Sequence, residues 1–298
     1  MRELESAAAQ QTLYRAARQG SVVAVRPGVF APTAEWEAMQ VEDRHRVRIR
    51  ETVTALSGAV VSHESAALLH GIPLLGQIGD LVHVLRPRST GFTRSAQVVY
   101  HTAASRPTVV RVGGVAVTSV ARTVVDLART GGFARGLVAA DYVLAKGLAT
   151  REELWAEVHA AARHSGVGVA RRVVERADAL SESVGESLTR ARLYLLHAPI
   201  PELQVSVTVS GQFYRLDFLW RDLGIVGEFD GAIKYGVTAA EAASAVRREK
   251  LREDELRRVF RTVIRFTWDD VLRIDPFEAE LRRVGILTGP SVRDSRFL

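Results

Sequence analysis

Between Tyr214 and Lys234 the chain reads YRLDFLWRDLGIVGEFDGAIK, and apolar and polar positions alternate on both sides of Asp222-Leu223. Alternation with a period of two predicts two short strands joined by a tight turn. Folding the stretch about Asp222 and Leu223 sets Asp217 opposite Glu228 and Arg215 opposite Asp230. One face then carries Arg215, Asp217, Leu219, Val226, Glu228 and Asp230. The other carries Tyr214, Leu216, Phe218, Trp220, Ile225 and Phe229, with Gly227 between them. An apolar, aromatic face thus backs a face with three carboxylates. Like charges opposite one another on neighbouring strands repel. A bound divalent cation relieves that repulsion, since hard cations take carboxylate oxygens. This face is therefore a candidate metal centre for phosphodiester cleavage. The plainer alternative is an exposed hairpin whose wet side pairs Arg215 with Asp230, and a one-residue slip in register would separate the carboxylates.

The remaining pattern is mixed. Residues 3–19 predict a helix that Gly20 ends, followed by a hairpin over Val22–Phe30 turned by Arg26-Pro27-Gly28. Residues 35–57 predict one charged helix bearing Arg44, Arg46, Arg48 and Arg50, with a solvated face as its simplest account. Ser62 is expected to cap a short helix, HESAALLHG, that closes at Gly71. Strands follow at 82–85 and 97–100, and a hairpin turns at Gly113-Gly114. Helices follow over 119–129 and 133–146, with Asp141 placed on a polar side. His63, His70, His83 and His101 lack metal-ligand spacing and read as ordinary core or surface histidines. Residues 150–182 are helical, interrupted by Gly166-Val167-Gly168. The last third gives, in order, a helix from Glu186, three strands, a long charged helix over 238–260, a strand at TVIRFTW and a closing helix. Ser183, three residues before Glu186, makes a capping box with it.

Composition adds limits. The chain has 298 residues, enough for two domains. It has no cysteine, so disulfides and zinc–thiolate sites are excluded. No apolar run approaches the ~20 residues of a membrane span. The opening MRELESAAAQQ lacks the apolar segment of a signal peptide, so a cytoplasmic location is expected. Net charge is +6. Residues 1–165 hold 19 basic and 14 acidic side chains (+5), and residues 166–298 hold 21 and 20 (+1). Mild basicity suits a nucleic-acid partner, although 37 arginines against three lysines equally reflect composition bias.

Two resemblances sharpen this reading. VRPGVFAP, VSHESAALLHGIPLL, LVHVLRP and GVAVTSVARTVVDLAR with AADYVLAKG resemble the AbiEi-type antitoxins of type IV toxin–antitoxin systems. That resemblance implies a winged helix-turn-helix before an α/β domain, DNA binding, and a cognate toxin as partner. Here the winged module is shortened to residues 1–34, with Arg26 on its wing as a DNA contact; the α/β domain follows over 35–165. GESLTRARLYLL, RLDFLW, VGEFDGAIKYG, KLREDELRR and VIRFTWDD resemble the PD-(D/E)XK nucleases, in detail the very-short-patch-repair-like endonucleases. The expected fold is a two-domain α/β (α+β) protein, with a central mixed sheet flanked by helices over 166–298.

The nuclease resemblance implies Asp217, Glu228 and Glu186 as metal ligands for Mg²⁺ or Mn²⁺, with Asp230 as a second acid. A lysine that the broader pattern places at position 230 is absent, and Lys234 or Lys250 is left to supply that charge. Arg215, Lys250 and Arg252 are candidate phosphate contacts, and two copies cutting opposite strands would make a homodimer. Three functions follow: a metal-dependent DNA endonuclease, an antitoxin-type regulator with a silent nuclease fold, or a scaffold that neutralises a toxin by protein contact.

Overall fold

The computed structural model describes residues 7–86, 97–102, 107–231, 250–294 and 297. It is a mixed α/β protein, with three sheets among the described residues. Among the described residues no helix is long and apolar enough to cross a membrane. The chain divides into two compact units, one of Met1–Gly131 with Leu148–Arg171, the other of Gly132–Gly147 with Arg172–Leu298.

In the first unit, α1 (Ala7–Arg18) leads to the antiparallel pair β1 (Val22–Arg26) and β2 (Val29–Pro32). The charged stretch expected as one helix forms two, α2 (Thr33–Ala38) and α3 (Val41–Ala55). Met39 and Gln40 break it with extended backbone. The break lets Trp36 bury against Val25 and Val29 while the Arg48 guanidinium lies 5.0 Å over its ring. β3 (Val60–Val61), α4 (His63–His70), β4 (Val82–Arg86), β5 (Val98–Thr102), β6 (Val109–Val112), β7 (Val115–Thr118) and α5 (Val120–Gly131) follow. The strands form a five-stranded sheet in the order β5-β4-β3-β7-β6. β4 and β5 run parallel, with Leu85 beside His101. Ile49, Val61, Ala66, Val82, Val84 and Val117 fill its core.

α6 (Phe133–Ala145) belongs to the second unit and α7 (Arg151–Ala160) to the first, while α8 (Val167–Arg176) spans the division. Compactness therefore groups residues 132–147 with the C-terminal unit, where a linear division at 165 leaves them with the N-terminal one. The physical reason is local. Asp141, expected on a polar side, is fully buried and accepts a 2.5 Å hydrogen bond from Arg190 Nη1 and one from the Asp178 amide. Phe133 packs edge-on to Tyr194 and to Phe297.

The second unit continues with α9 (Val184–Leu195), β8 (Glu202–Val209), β9 (Gln212–Trp220), β10 (Ile225–Phe229), α10 (residues 250–259), β11 (Thr262–Phe266), α11 (Trp268–Leu272) and α12 (Ile274–Arg283). The sheet order is β11-β10-β9-β8. β8, β9 and β10 form an antiparallel meander, and β11 lies parallel to β10. A parallel pair needs a crossover, and α10 lies within it. Leu219, Val226 and Val263 on one face of the sheet bury with Leu256 of α10. On the other face Gly227 leaves room for rings: a Cβ there would lie 2.9 Å from the Trp220 ring and 3.2 Å from that of Phe266. Phe277 of α12 completes this layer, its ring centroid 5.1 Å from that of Phe266.

Candidate functional site

The turn between β9 and β10 decides where the carboxylates stand. Arg221–Leu223 form one turn of 3-10 helix, and Gly224 takes a φ of 61°, a left-handed conformation that favours glycine. Trp220 then pairs with Ile225, Leu219 with Val226 and Phe218 with Gly227. This is the register that puts Asp217 across from Glu228. The ladder stops at Phe218–Gly227, and the Asp217 carboxylate takes over, accepting a 2.9 Å bond from the Phe229 amide. Its second oxygen faces β8.

Glu186 reaches the same place from the start of α9. Ser183 is the N-cap, its hydroxyl accepting from the Glu186 amide at 3.1 Å. The Glu186 carboxylate accepts the amide of Glu182 at 3.0 Å. Gly185 allows the close approach, because any Cβ there would overlap the Phe229 ring. Gln204 joins the two acids: its Nε2 donates to Glu186 Oε2 at 2.9 Å and to Asp217 Oδ1 at 3.3 Å. Gln204 holds a φ of 49°, a left-handed strain within a strand, and its Oε1 is buried with no hydrogen-bond partner. Burial pushes the Glu186 carboxyl above its usual range, and the charge of Asp217 adds to that rise.

Glu228 is buried and engaged otherwise. Arg252 of α10 grips it with both terminal nitrogens, Nη2 to Oε1 at 2.5 Å and Nη1 to Oε2 at 3.2 Å. Arg252 also donates to the Arg215 carbonyl at 3.0 Å. Glu186 and Asp217 therefore meet through Gln204, while Glu228 is neutralised by an arginine. Arg215 is exposed and pairs with Glu182, not with Asp230. Asp230 is exposed, and its amide donates to the Phe266 carbonyl at 2.9 Å. Lys250 is exposed, the first described residue of α10. Two residues apart on a helix do not face the same way, so Lys250 does not share the side of Arg252. Lys234 lies outside the described residues. Arg26 on the β1–β2 turn donates to the carbonyl of Pro27 at 3.2 Å.

The donor set around Gln204 fits a hard cation. Two carboxylates and an amide oxygen lacking a partner are the oxygen ligands Mg²⁺ takes. An amide rotation exchanges the Gln204 nitrogen for that oxygen.

A different group was not legible in the sequence. Among the described residues, His63, His83 and His101 each bring a ring nitrogen within 4.8 Å of the others. His83 Nδ1 lies 3.0 Å from His101 Nε2, and the rings of His63 and His101 stack at 3.5 Å. Ser62, expected to cap α4, makes no side-chain bond to the helix backbone; its hydroxyl meets His63 Nδ1 at 3.0 Å. Burial drives the imidazoles of His63 and His101 down to about 3 and lowers that of His83, so all three are neutral near pH 7. The separations of 20 and 18 residues match no short ligand motif. Only the β4–β5 pairing, with α4 beside it, closes them into a cluster.

No protein-family model matches the chain. Two proteins from two strains of Mycobacterium tuberculosis, both described as uncharacterized, are similar to it: each is 28% identical over 216 residues, covering 72% of this chain and 76% of theirs.

Proposed function

We propose that this chain is a metal-dependent endonuclease that hydrolyses phosphodiester bonds in DNA, with Mg²⁺ or Mn²⁺ as its ion. The observation that carries the reading is the sharing of one Gln204 amide by Glu186 and Asp217 at the end of the β9–β10 ladder. The strand order and mixed directions of the second sheet, with a helix before it and one in the crossover, agree with the PD-(D/E)XK resemblance. The AbiEi-like stretches support a DNA-directed role for the first unit, with a winged-helix remnant at its start.

Asp217, Glu186 and Gln204 Oε1 would hold the ion. When bound, it makes a coordinated water more acidic and offsets charge on the scissile phosphate. Asp217 is fixed by the Phe229 amide through one oxygen, and its other oxygen faces the Gln204 amide. Burial raises the Glu186 carboxyl, so without an ion it holds its proton more tightly than an exposed glutamate does. Arg252 supplies the fixed positive charge that the absent lysine at position 230 does not. Arg215 and Lys250, both exposed, are the proposed contacts to backbone phosphates.

Nicking of supercoiled plasmid tests the reading. The wild-type chain cuts with Mg²⁺ or Mn²⁺ and not with chelator, and Asp217→Asn and Glu186→Gln fall to background. The Arg252–Glu228 pair favours a second reading, a DNA-binding antitoxin-type regulator with a silent nuclease fold. Folded protein that binds DNA but cuts with neither ion, and binds equally well as Asp217→Asn, would replace the first reading with the second.

A further inference from the structure

We propose that His63, His83 and His101 form a second metal site, in the first unit, for a divalent transition ion of which Zn²⁺ fits best. Three imidazole nitrogens are borderline-soft donors suited to Zn²⁺ and not to Mg²⁺. Zinc–nitrogen bonds of about 2.0–2.1 Å in a tetrahedron separate the ligand nitrogens by about 3.4 Å. His83 Nδ1 and His101 Nε2 already stand 3.0 Å apart, and the third nitrogen lies within 4.8 Å. His63 supplies Nε2, because Ser62 engages its Nδ1.

The far side of two of the rings, His63 and His83, argues for the same assignment. Metal-bound histidine is held by a partner on its other nitrogen. His63 has the Ser62 hydroxyl, and His83 Nε2 lies 3.9 Å from the Glu64 carboxylate. The charges around the rings leave room for a cation. Arg122 and Arg129 are both tied to Asp126, and Arg122 also approaches Glu157 at 3.8 Å. The acids whose charges act on the rings are Glu64 on His83 and Asp126 on His101, against those two arginines. His63 adds a backbone cost, since its φ of 53° is left-handed for a residue with a Cβ. That conformation begins α4 with the His63 ring turned onto His101. The site joins α4 to both parallel strands, so a bound ion would stabilise the fold locally. His83 and His101 are only part-buried, which leaves a fourth position open to water or a further ligand.

Equilibrium dialysis of the metal-free full chain against Zn²⁺, with Co²⁺ absorption as a geometric probe, tests this. The expected result is one tightly held Zn²⁺ per chain and a tetrahedral Co²⁺ spectrum, both retained in Asp217→Asn. His83→Gln and His101→Gln abolish them while keeping the wild-type circular dichroism, and Glu64→Gln weakens binding about 10- to 100-fold. His63 is buried, and its substitution risks the fold, so the two part-buried histidines decide. Failure of the folded wild type to bind at micromolar Zn²⁺, or wild-type binding by both His83→Gln and His101→Gln, would overturn the proposal. Loss of binding in Asp217→Asn alone would place the ion at the carboxylates instead.

Discussion

Replacing Arg252 with methionine separates the two roles its guanidinium can have at Glu228. The side chain of Glu228 is 10% exposed and that of Arg252 29%. Removing one partner of a buried ion pair typically costs about 3–5 kcal/mol, because the other charge stays desolvated. Arg252 is partly in water, where screening weakens the pair. A loss of about 2–3 kcal/mol is therefore expected, or roughly 6–15 °C in melting temperature for a unit of this size. Glu228→Gln in the Arg252→Met background should recover most of it, since the desolvated charge is then gone. If the guanidinium stands where a cation would otherwise sit, Mg²⁺ should raise the melting temperature of Arg252→Met more than that of wild type. Thermal and urea unfolding with and without Mg²⁺ measure both effects. A loss below about 0.5 kcal/mol refutes the burial argument. A Mg²⁺ shift no larger in the variant than in wild type refutes the idea that arginine takes the place of the ion.

Glu186 predicts a pH dependence. Its folded carboxyl is raised, so the folded state binds the proton more tightly than the unfolded chain does. That contribution is full below the unfolded value and is lost as pH rises through the folded one. Glu186→Gln should therefore gain stability relative to wild type as pH rises above the ordinary glutamate range, read from melting temperatures in chelator, and a parallel pH profile counts against it. Arg190→Met leaves Asp141 buried without its guanidinium and should cost about 3–5 kcal/mol by urea unfolding, since the two side chains are 3% and 0% exposed. Adding Asp141→Asn should return part of that loss, and additive losses would show that the pair is not coupled.

Local chemistry carried much of the fold. A period-two pattern around Asp222-Leu223 set the β9–β10 register, because a hairpin is fixed by its turn and by which face is apolar. Gly71 ended α4 in a left-handed conformation, and Ser183 capped α9, because both effects act within one helical turn. What the sequence left open depends on residues far apart in the chain. Arg252 reaches Glu228 across 24 positions and Arg190 reaches Asp141 across 49. Neither charge advertises its partner, so Asp141 read as a surface acid and Glu228 as an open ligand. Trp36 broke a helix that its own neighbours favoured, because its ring is buried in a hairpin formed earlier in the chain. His63, His83 and His101 became a cluster only when β4 and β5 paired in parallel beside α4. Turns and caps are written in neighbouring residues; the partner of a buried charge or ring is chosen by packing, which only the folded chain performs.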